Sequence, residues 1–392
     1  MKHALTMLLP VFLSLALSAS ASTGVMHGRR LFKFQSKSDF AGFRLSGARW
    51  DNSASGIVCQ RDGAGCMVGG SAPYGMLESP DIETGFPANQ MVLSWNADTP
   101  VGSYLKVYIQ VRSGGFWSRR FAYAIWNRDN RPVQRMTIKG QSDDIAAMET
   151  DILISKVPVD AFRVSIELCS LDGKTYPTLR LLTAHCIDTK AADPPLRARK
   201  SVWGTDLPIP ERSQLTIPQG NRFCSATSTS MVLEYWGKKL NRPELNVPLR
   251  TAVDGIYDYE MGGTGNWPFN TAYAAEFGGL RAYVTRFANM SQIEDWIAKG
   301  VPVIVSMDYN ILMHSKEARR MGHLMVFRGF TDKGDCIIND PYTRLNEGER
   351  ARRIFDRKDF EASWLKEKGS RGTVYLIFPS GWAIPKDRYG NW

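Results

Sequence analysis

The sequence lacks the residue spacings of the common protein metal sites. It contains no C-x-x-C and no H-x-x-x-H segment, and it has only five histidines in 392 residues. The acidic residues Asp254, Asp258 and Glu260 are close in sequence, but their intervals are not those of an EF-hand loop. These absences argue against zinc and calcium sites of the usual kinds. We predict neither a metal nor another cofactor.

Long apolar runs are also absent after the N-terminus, where no segment reaches the eighteen or so apolar residues that a membrane-spanning helix needs. Residues 1–21 instead have the parts of a secretory signal peptide. Lys2 supplies a basic start, residues 4–17 are mostly apolar, and residues 19–21 (ASA) fit a cleavage site. We therefore predict export, to a periplasm or out of the cell, and no integral membrane segment in the mature chain.

Concentrated positive charge is scarce, although the chain carries a formal net charge of +10. The basic residues are scattered apart from two short clusters at residues 197–200 and 350–353. Nucleic-acid binding needs a stripe or patch of such residues. We interpret the excess as a solvated basic surface and predict no nucleic-acid partner.

Six cysteines in an exported chain suggest disulfides. Cys59 and Cys66 enclose a short glycine-rich loop, and Cys169 and Cys186 flank a predicted hairpin. We expect these four cysteines to form two bridges in the N-terminal half. Cys224 and Cys336 remain.

Residues 30–187 alternate between short apolar strands and turn residues, which predicts an all-β sandwich or jelly roll. Its aromatic residues could contact a glycan, but we favour core packing. Residues 188–208 have no apolar periodicity and contain several prolines, as a linker does.

Residues 209–382 have the pattern of a second, α+β domain. We predict helices at residues 225–237, 269–277 and 292–299, the last opened by a capping box at 291–294. Strands are predicted at residues 301–307, 323–329, 335–339 and 373–378. The chain is thus multidomain, with helices followed by an antiparallel sheet in its C-terminal part.

Cys224 lies where a loop enters a predicted helix. The free amides and the dipole of a helix N-terminus favour the nucleophilic thiolate. A third disulfide with Cys336, or an inert buried thiol, is the alternative; Cys336 itself lies in a strand, where cysteine is usually a small apolar residue. Two histidines follow Cys224. His314 lies in a polar stretch, whereas His323 opens an apolar strand and is the better candidate for a general base.

A third residue should orient the imidazole ring. Asp340 ends the strand that follows the strand of His323, so its carboxylate could point back toward the ring. Asn339 is the rival, although strand alternation places it on the opposite face. The alternative is that Asp340-Pro341 simply forms a turn and has no role in orienting the ring.

Four motifs in this order resemble those of the C39-like peptidases, which are papain-like cysteine hydrolases. They are Gln219, residues 223–233 (FCSATSTSMVL), residues 322–329 (GHLMVFRG) and residues 337–341 (IINDP). The resemblance covers roughly residues 205–380. The N-terminal half also resembles the β-domain that precedes this module in secreted bacterial members.

The resemblance implies a role for each matching residue. Cys224 would attack an acyl carbonyl, His323 would take the thiol proton and later protonate the leaving amine, and Asp340 would orient His323. An upstream glutamine side chain and the Cys224 amide would form the oxyanion hole. We prefer Gln219, five residues before Cys224, over Gln214, ten residues before it. Ser225 stands where the family usually has glycine.

These inferences predict an exported cysteine hydrolase, a peptidase or amidase that cleaves a peptide or a peptidoglycan-type substrate. The alternative is a glycan-binding or cell-surface-binding protein whose papain-like domain is degenerate and not catalytic. In that case the β-domain would hold the polymer.

Overall fold

A computed structural model describes residues 28–60, 75–317, 319–366 and 370–392. The predicted signal peptide and Cys66 lie outside these residues. None of the helices within the described ranges is both long enough and apolar enough to cross a membrane.

The N-terminal part is all β, which confirms the predicted fold class. Thirteen strands in the described residues form one connected hydrogen-bonded sheet, whose central order is β10-β9-β7-β12-β6-β13-β4-β3. The strands are β1 (Arg29–Phe34), β2 (Arg44–Ser46), β3 (Ala48–Asp51), β4 (Gly56–Cys59), β5 (Gly75–Glu78), β6 (Ile82–Asp98), β7 (Ser103–Ser113), β8 (Phe116–Trp117), β9 (Phe121–Trp126), β10 (Met136–Thr137), β11 (Ala146–Glu149), β12 (Ile152–Ser170) and β13 (Thr178–Ile187).

Alternation of apolar and polar side chains explains these strands. In β7 the buried Leu105, Val107, Ile109 and Val111 alternate with half-buried residues, so one face of the strand packs on the core. The register between β6 and β12 shifts along their length, as it does where a long sheet bends. Trp95 and Trp126 are fully buried, in agreement with the interpretation of aromatic residues as core packing.

The predicted disulfides are wrong for the described cysteines. Cys59, Cys169 and Cys186 all carry free thiols. The strands of Cys169 and Cys186 do not form the expected hairpin, because β6 lies between β12 and β13 in the sheet. Cys169 pairs instead with Tyr104 and Cys186 with Met91, which leaves the two sulfurs on strands that are not neighbours.

The C-terminal part is α+β, as predicted. Within the described residues its six strands form an antiparallel sheet in the order β14-β19-β15-β16-β17-β18. The elements are α1 (Cys224–Leu240), α2 (Leu249–Ile256), α3 (Trp267–Ala275), β14 (Leu280–Arg286), α4 (Met290–Ile297), β15 (Val303–Asp308), α5 (Tyr309–Leu312), β16 (Gly322–Phe330), β17 (Cys336–Asn339), β18 (Arg352–Phe355), α6 (Arg357–Trp364) and β19 (Thr373–Pro379).

Every helix and strand predicted for this part is present, with shifted ends. The capping box at residues 291–294 is wrong, because Asn289 is the N-cap of α4 and accepts a hydrogen bond from the Ser291 amide. The sequence reading missed α2, β14, β18 and α6. Strand β14 was missed because Arg281, Thr285 and Arg286 leave it only a short apolar run, and its burial comes from packing against other elements.

Extensive contacts join the N-terminal and C-terminal parts. The side chain of Asn96 on β6 exchanges two hydrogen bonds with the backbone of Ala282 on β14, which satisfies the free edge of that strand. Trp95 packs edge-on against Phe269 of α3, with ring centroids 6.3 Å apart. The buried apolar residues of both parts consequently belong to one continuous core.

Candidate active site

The first turn of α1 holds Cys224 at the surface of an otherwise buried helix. The side chains from Ser225 to Leu233 are buried, whereas Cys224 is partly exposed. Ser228 donates a hydrogen bond of 3.0 Å to the Leu324 carbonyl, which fixes the helix against β16. This contact brings the start of the helix next to the start of the strand that carries His323.

His323 lies between a thiol and a carboxylate. Its Nε2 atom is 2.8 Å from Oδ1 of Asp340, and its ring also hydrogen-bonds the sulfur of Cys224. Because Nε2 faces the carboxylate, the nitrogen left for the sulfur is Nδ1. The structure therefore brings Cys224, His323 and Asp340 into one line of hydrogen bonds.

Asp340 is fully buried and has several partners besides His323. Its Oδ2 accepts a hydrogen bond of 2.8 Å from the Tyr309 hydroxyl, and its Oδ1 accepts one of 2.9 Å from the Tyr342 amide. Arg353 places its Nη1 atom 3.4 Å from Oδ2. These contacts hold the carboxylate in one orientation and stabilise its charge.

The electrostatic environment separates charge between the sulfur and the ring. Burial lowers the pKa of His323, but the hydrogen bonds to Asp340 and Cys224 outweigh it and raise that pKa to about 9. Burial raises the pKa of Cys224, yet the contact with His323 and the amides of Leu324 and Ser225 lower it below the ordinary value. Burial likewise raises the pKa of Asp340, and the contact with His323 lowers it overall. The raised pKa of His323 and the lowered pKa of Cys224 both favour a thiolate beside an imidazolium.

The two candidate glutamines occupy different environments. Gln219 is exposed, and its side chain does not cap the turn that it precedes. Gln214 is buried. Its side-chain Nε2 donates a hydrogen bond of 2.9 Å to the Gly220 carbonyl, and its backbone amide donates one of 3.0 Å to the Pro341 carbonyl. The structure thus separates a buried Gln214, fixed by hydrogen bonds, from an exposed Gln219.

A close backbone approach folds the loop between Gln214 and Cys224 back on itself. A Cβ atom on Gly220 would lie 1.8 Å from the Gln214 carbonyl oxygen, so only glycine allows the loop to fold back there. This fold places Gln214 against Gly220, four residues before Cys224.

Other residues considered from the sequence lie away from this group. His314 is exposed and contacts Asp359, with Nε2 and Oδ2 3.0 Å apart. Asn339 bonds the carbonyls of Ile209 and Pro210 on the face opposite to His323, as strand alternation predicted. Cys336 is buried, and both it and Cys224 are free thiols, so they do not form the alternative disulfide.

Both parts of the chain match models of known protein families. The model of the Peptidase_C39-like family matches residues 206–371, and the model of the Peptidase C39 N-terminal domain matches residues 30–186. This chain belongs to the C39-like peptidase family. No curated protein matches it.

Two solved structures are among those similar to this chain. One is a Bacillus anthracis protein named as a C39-like peptidase, with 15% identity and a TM-score of 0.31, over 45% of this chain and 98% of that one. The other is the carbohydrate recognition domain of Emp46p, with 10% identity and a TM-score of 0.22, over 38% of this chain and 89% of that one.

The sequence analysis missed two residues that contact Asp340. Tyr309 follows a predicted strand in a polar stretch, and its ring also packs 4.6 Å from that of His323. Arg353 belongs to the cluster at residues 350–353, which was interpreted as solvated surface. That interpretation is wrong for Arg353. Its contact with Asp340 depends on β18 pairing with β17, and no local signal indicates this pairing.

No group of three or more potential metal-ligating side chains is present within the described residues. The site is composed of a thiol, an imidazole, a carboxylate and an amide. These groups can carry out acyl transfer by nucleophilic attack and proton transfer.

Proposed function

We propose that this protein hydrolyses peptide bonds with Cys224 as the nucleophile. The thiolate attacks the peptide carbonyl carbon and forms a C–S bond. The His323 imidazolium gives its proton to the amine nitrogen as the C–N bond breaks. Water then attacks the thioester while His323 accepts a proton, and the C–S bond breaks to release the acid and restore Cys224.

The observation that carries this proposal is the line of hydrogen bonds from Cys224 through His323 to Asp340. A nucleophile, a base and a group that orients the base form the usual unit of covalent acyl transfer. The partial exposure of Cys224 adds support, since the attacking sulfur must be reached by substrate. In contrast, Cys336 is buried, and burial raises the pKa of its thiol.

Gln214 is the proposed side-chain donor of the oxyanion hole, together with the Cys224 amide. The side-chain Nε2 of Gln214 carries two protons, and one of them is hydrogen-bonded to the Gly220 carbonyl. The second proton remains for the oxygen that becomes negative during the attack. Fixing the side chain by burial and by the Gly220 contact keeps that donor in place before substrate arrives.

Membership of a peptidase family supports a peptide substrate. Export and a peptidoglycan-type peptide remain predictions from the sequence. The predicted glycan contact has no further support, and Phe116 is the one large aromatic side chain strongly exposed in the described part of the β-domain.

Alkylation and turnover of the full-length protein test this function. Purified protein is treated with a small excess of iodoacetamide near neutral pH, and the modified residue is mapped by mass spectrometry. Hydrolysis of a broad panel of fluorogenic peptides is measured in parallel. We expect Cys224 to be labelled first and turnover to disappear in Cys224→Ala. Cys336→Ala, the matched control, should retain turnover.

The opposite results would contradict the proposal. Preferential labelling of Cys336 or Cys59 would show that Cys224 is not the activated thiol. Labelling of Cys224 without hydrolysis of any peptide would instead favour the degenerate, non-catalytic domain that the sequence left open.

A further inference from the structure

The loop between α2 and α3, residues 257–266, adjoins the entrance of the nucleophile helix. The Thr264 hydroxyl donates a hydrogen bond of 3.3 Å to the carbonyl of Arg222, two residues before Cys224. Asn270 of α3 accepts from Thr229 of α1 at 3.1 Å and donates to the Thr264 carbonyl at 2.8 Å. We name residues 257–266 the wall loop, because Thr264 contacts the segment that leads into Cys224.

The wall loop has a defined conformation organised by the buried carboxylate of Asp258. Its Oδ1 accepts hydrogen bonds of 3.1 Å and 3.2 Å from the amides of Glu260 and Met261. Its Oδ2 accepts one of 2.9 Å from the Asn266 side chain. The ends of the loop are also joined by an antiparallel bridge between Asp258 and Gly263. Such a network fixes the loop backbone without a bound ligand.

The tip of this ordered loop exposes two large apolar side chains. Tyr259 and Met261 are each 41% exposed. Tyr259 packs edge-on against Tyr257, with ring centroids 5.0 Å apart, and this contact restricts its orientation. A rigid loop that presents apolar side chains to solvent beside a reactive group is typical of a binding surface.

Other exposed apolar residues adjoin the same site. Leu215 follows Gln214, Met321 lies two residues before His323, and Tyr342 lies two residues after Asp340; all three are exposed. Chain connectivity keeps each of them within a few ångströms of a residue of the site. Exposed apolar side chains therefore stand one or two residues along the chain from Gln214, His323 and Asp340.

The N-terminal domain holds the wall loop in place. Arg135 is fully buried and donates to the carbonyls of Tyr257 and Asp254, at 3.0 Å and 2.6 Å, while its own carbonyl accepts from the Tyr259 amide at 3.3 Å. The Thr137 amide donates to Asp258 at 3.2 Å, and Lys139 donates to the Glu260 carbonyl at 2.6 Å. The loop thus depends on both domains for its position.

We propose that the wall loop binds apolar side chains of an extended peptide next to Cys224, through Tyr259 and Met261, and that Arg135 of the N-terminal domain positions it. This inference rests on the proposed function for the identity of the ligand as a peptide. Met261 has a flexible thioether side chain, so the surface accommodates several apolar residue types. The N-terminal domain accordingly acts in substrate selection.

Peptide binding by full-length protein with Cys224→Ala tests the inference independently of catalysis. The probes are two sets of fluorescein-labelled octapeptides. In the apolar set the four central residues are drawn from Leu, Phe and Val, and in the polar set they are drawn from Ser, Asn and Gly. Binding is followed by fluorescence polarisation. We expect the apolar set to bind more tightly. Tyr259→Gln and Met261→Gln should each raise its Kd about tenfold, because a buried apolar contact is lost. Ile354→Gln changes an exposed apolar residue on β18 and should leave Kd unchanged.

Arg135→Lys tests the positioning role, with Arg131→Lys as the exposed control. Loss of the forked contacts should raise the Kd for apolar peptides, while the rate of Cys224 alkylation by iodoacetamide, measured with Cys224 present, stays within about twofold. If this variant fails to fold, the two wall-loop variants still decide the inference.

Equal binding of apolar and polar peptides, no binding of either set, or an unchanged Kd in both wall-loop variants would overturn the inference. These results are distinguishable from failure of the proposed function. If the proposed function fails but the inference holds, the wall-loop variants alter binding while the protein with Cys224 present shows neither turnover nor preferential alkylation of Cys224.

Discussion

His323 and Asp340 face each other across 2.8 Å, from Nε2 to Oδ1, and both side chains are almost completely removed from water. Because Nε2 faces the carboxylate, Nδ1 is the ring nitrogen that can exchange a proton with Cys224. The pair joins residues on consecutive strands, β16 and the end of β17, whose pairing fixes their separation.

Replacing the charge of Asp340 should reduce activity more than stability. In Asp340→Asn the side chain keeps its size, but the carboxylate that raises the pKa of His323 is gone. We expect kcat/KM to fall about a hundredfold, within the range of a lost general acid–base contribution. Tyr309→Phe removes one hydrogen bond to the same carboxylate and should cost less than about tenfold. Steady-state kinetics with thermal melts measure both variants, and equal kinetics for Asp340→Asn and the parent would contradict the role of Asp340.

The rate of Cys224 alkylation should depend on pH in a way that an ordinary thiol does not. Because the pKa of Cys224 is lowered by its contact with His323, its thiol should ionise at lower pH than a free thiol does. The pKa of His323, raised to about 9, sets the upper limit, because deprotonation of the ring removes the acid for the leaving amine. We therefore expect kcat/KM to fall above pH about 9. Asp340→Asn should move this alkaline limit to lower pH. In unfolded protein, the control, the alkylation rate should depend on pH as it does for an ordinary thiol. If folded and unfolded protein gave the same pH dependence, the ion pair of Cys224 and His323 would be contradicted.

The two glutamines should differ sharply when replaced. Gln214→Ala removes the proposed oxyanion donor, and kcat should fall about a hundredfold or more. Gln219→Ala changes an exposed side chain and should leave kcat within about twofold. Alkylation of Cys224 by iodoacetamide forms no oxyanion, so its rate should change little in either variant. A larger loss in Gln219→Ala than in Gln214→Ala would restore the preference based on sequence spacing.

Ser225 should contribute to stability through a buried hydrogen bond. Its hydroxyl lies 3.1 Å from the Tyr375 hydroxyl, and both residues are buried. Ser225→Gly leaves the tyrosine without this partner and places glycine in the first turn of α1. We expect the free energy of unfolding to fall by about 1–2 kcal/mol. Tyr375→Phe removes the other partner, and chemical denaturation of the double variant gives the coupling. A coupling energy near zero would show that the contact does not stabilise the fold.

Local sequence patterns predicted the architecture, and together with the resemblance to the C39-like peptidases they selected three residues of the candidate site. The alternation in β7 and the helical period after Cys224 depend on neighbours along the chain, so they can be read without coordinates. Cys224, His323 and Asp340 were chosen because each stands at the start or end of a regular element. Helix ends and strand ends are where side chains can converge on one point.

Contacts between distant segments could not be read in this way. The choice of Gln214 required the loop closure at Gly220, and the contact of Arg353 with Asp340 required the pairing of β18 with β17. The disulfide prediction failed for the same reason, because β6 lies between the strands of Cys169 and Cys186. The sequence by itself determined the order of elements and the types of reactive groups. Only the tertiary structure decided which groups meet, since strand order and loop closure depend on the packing of the whole chain.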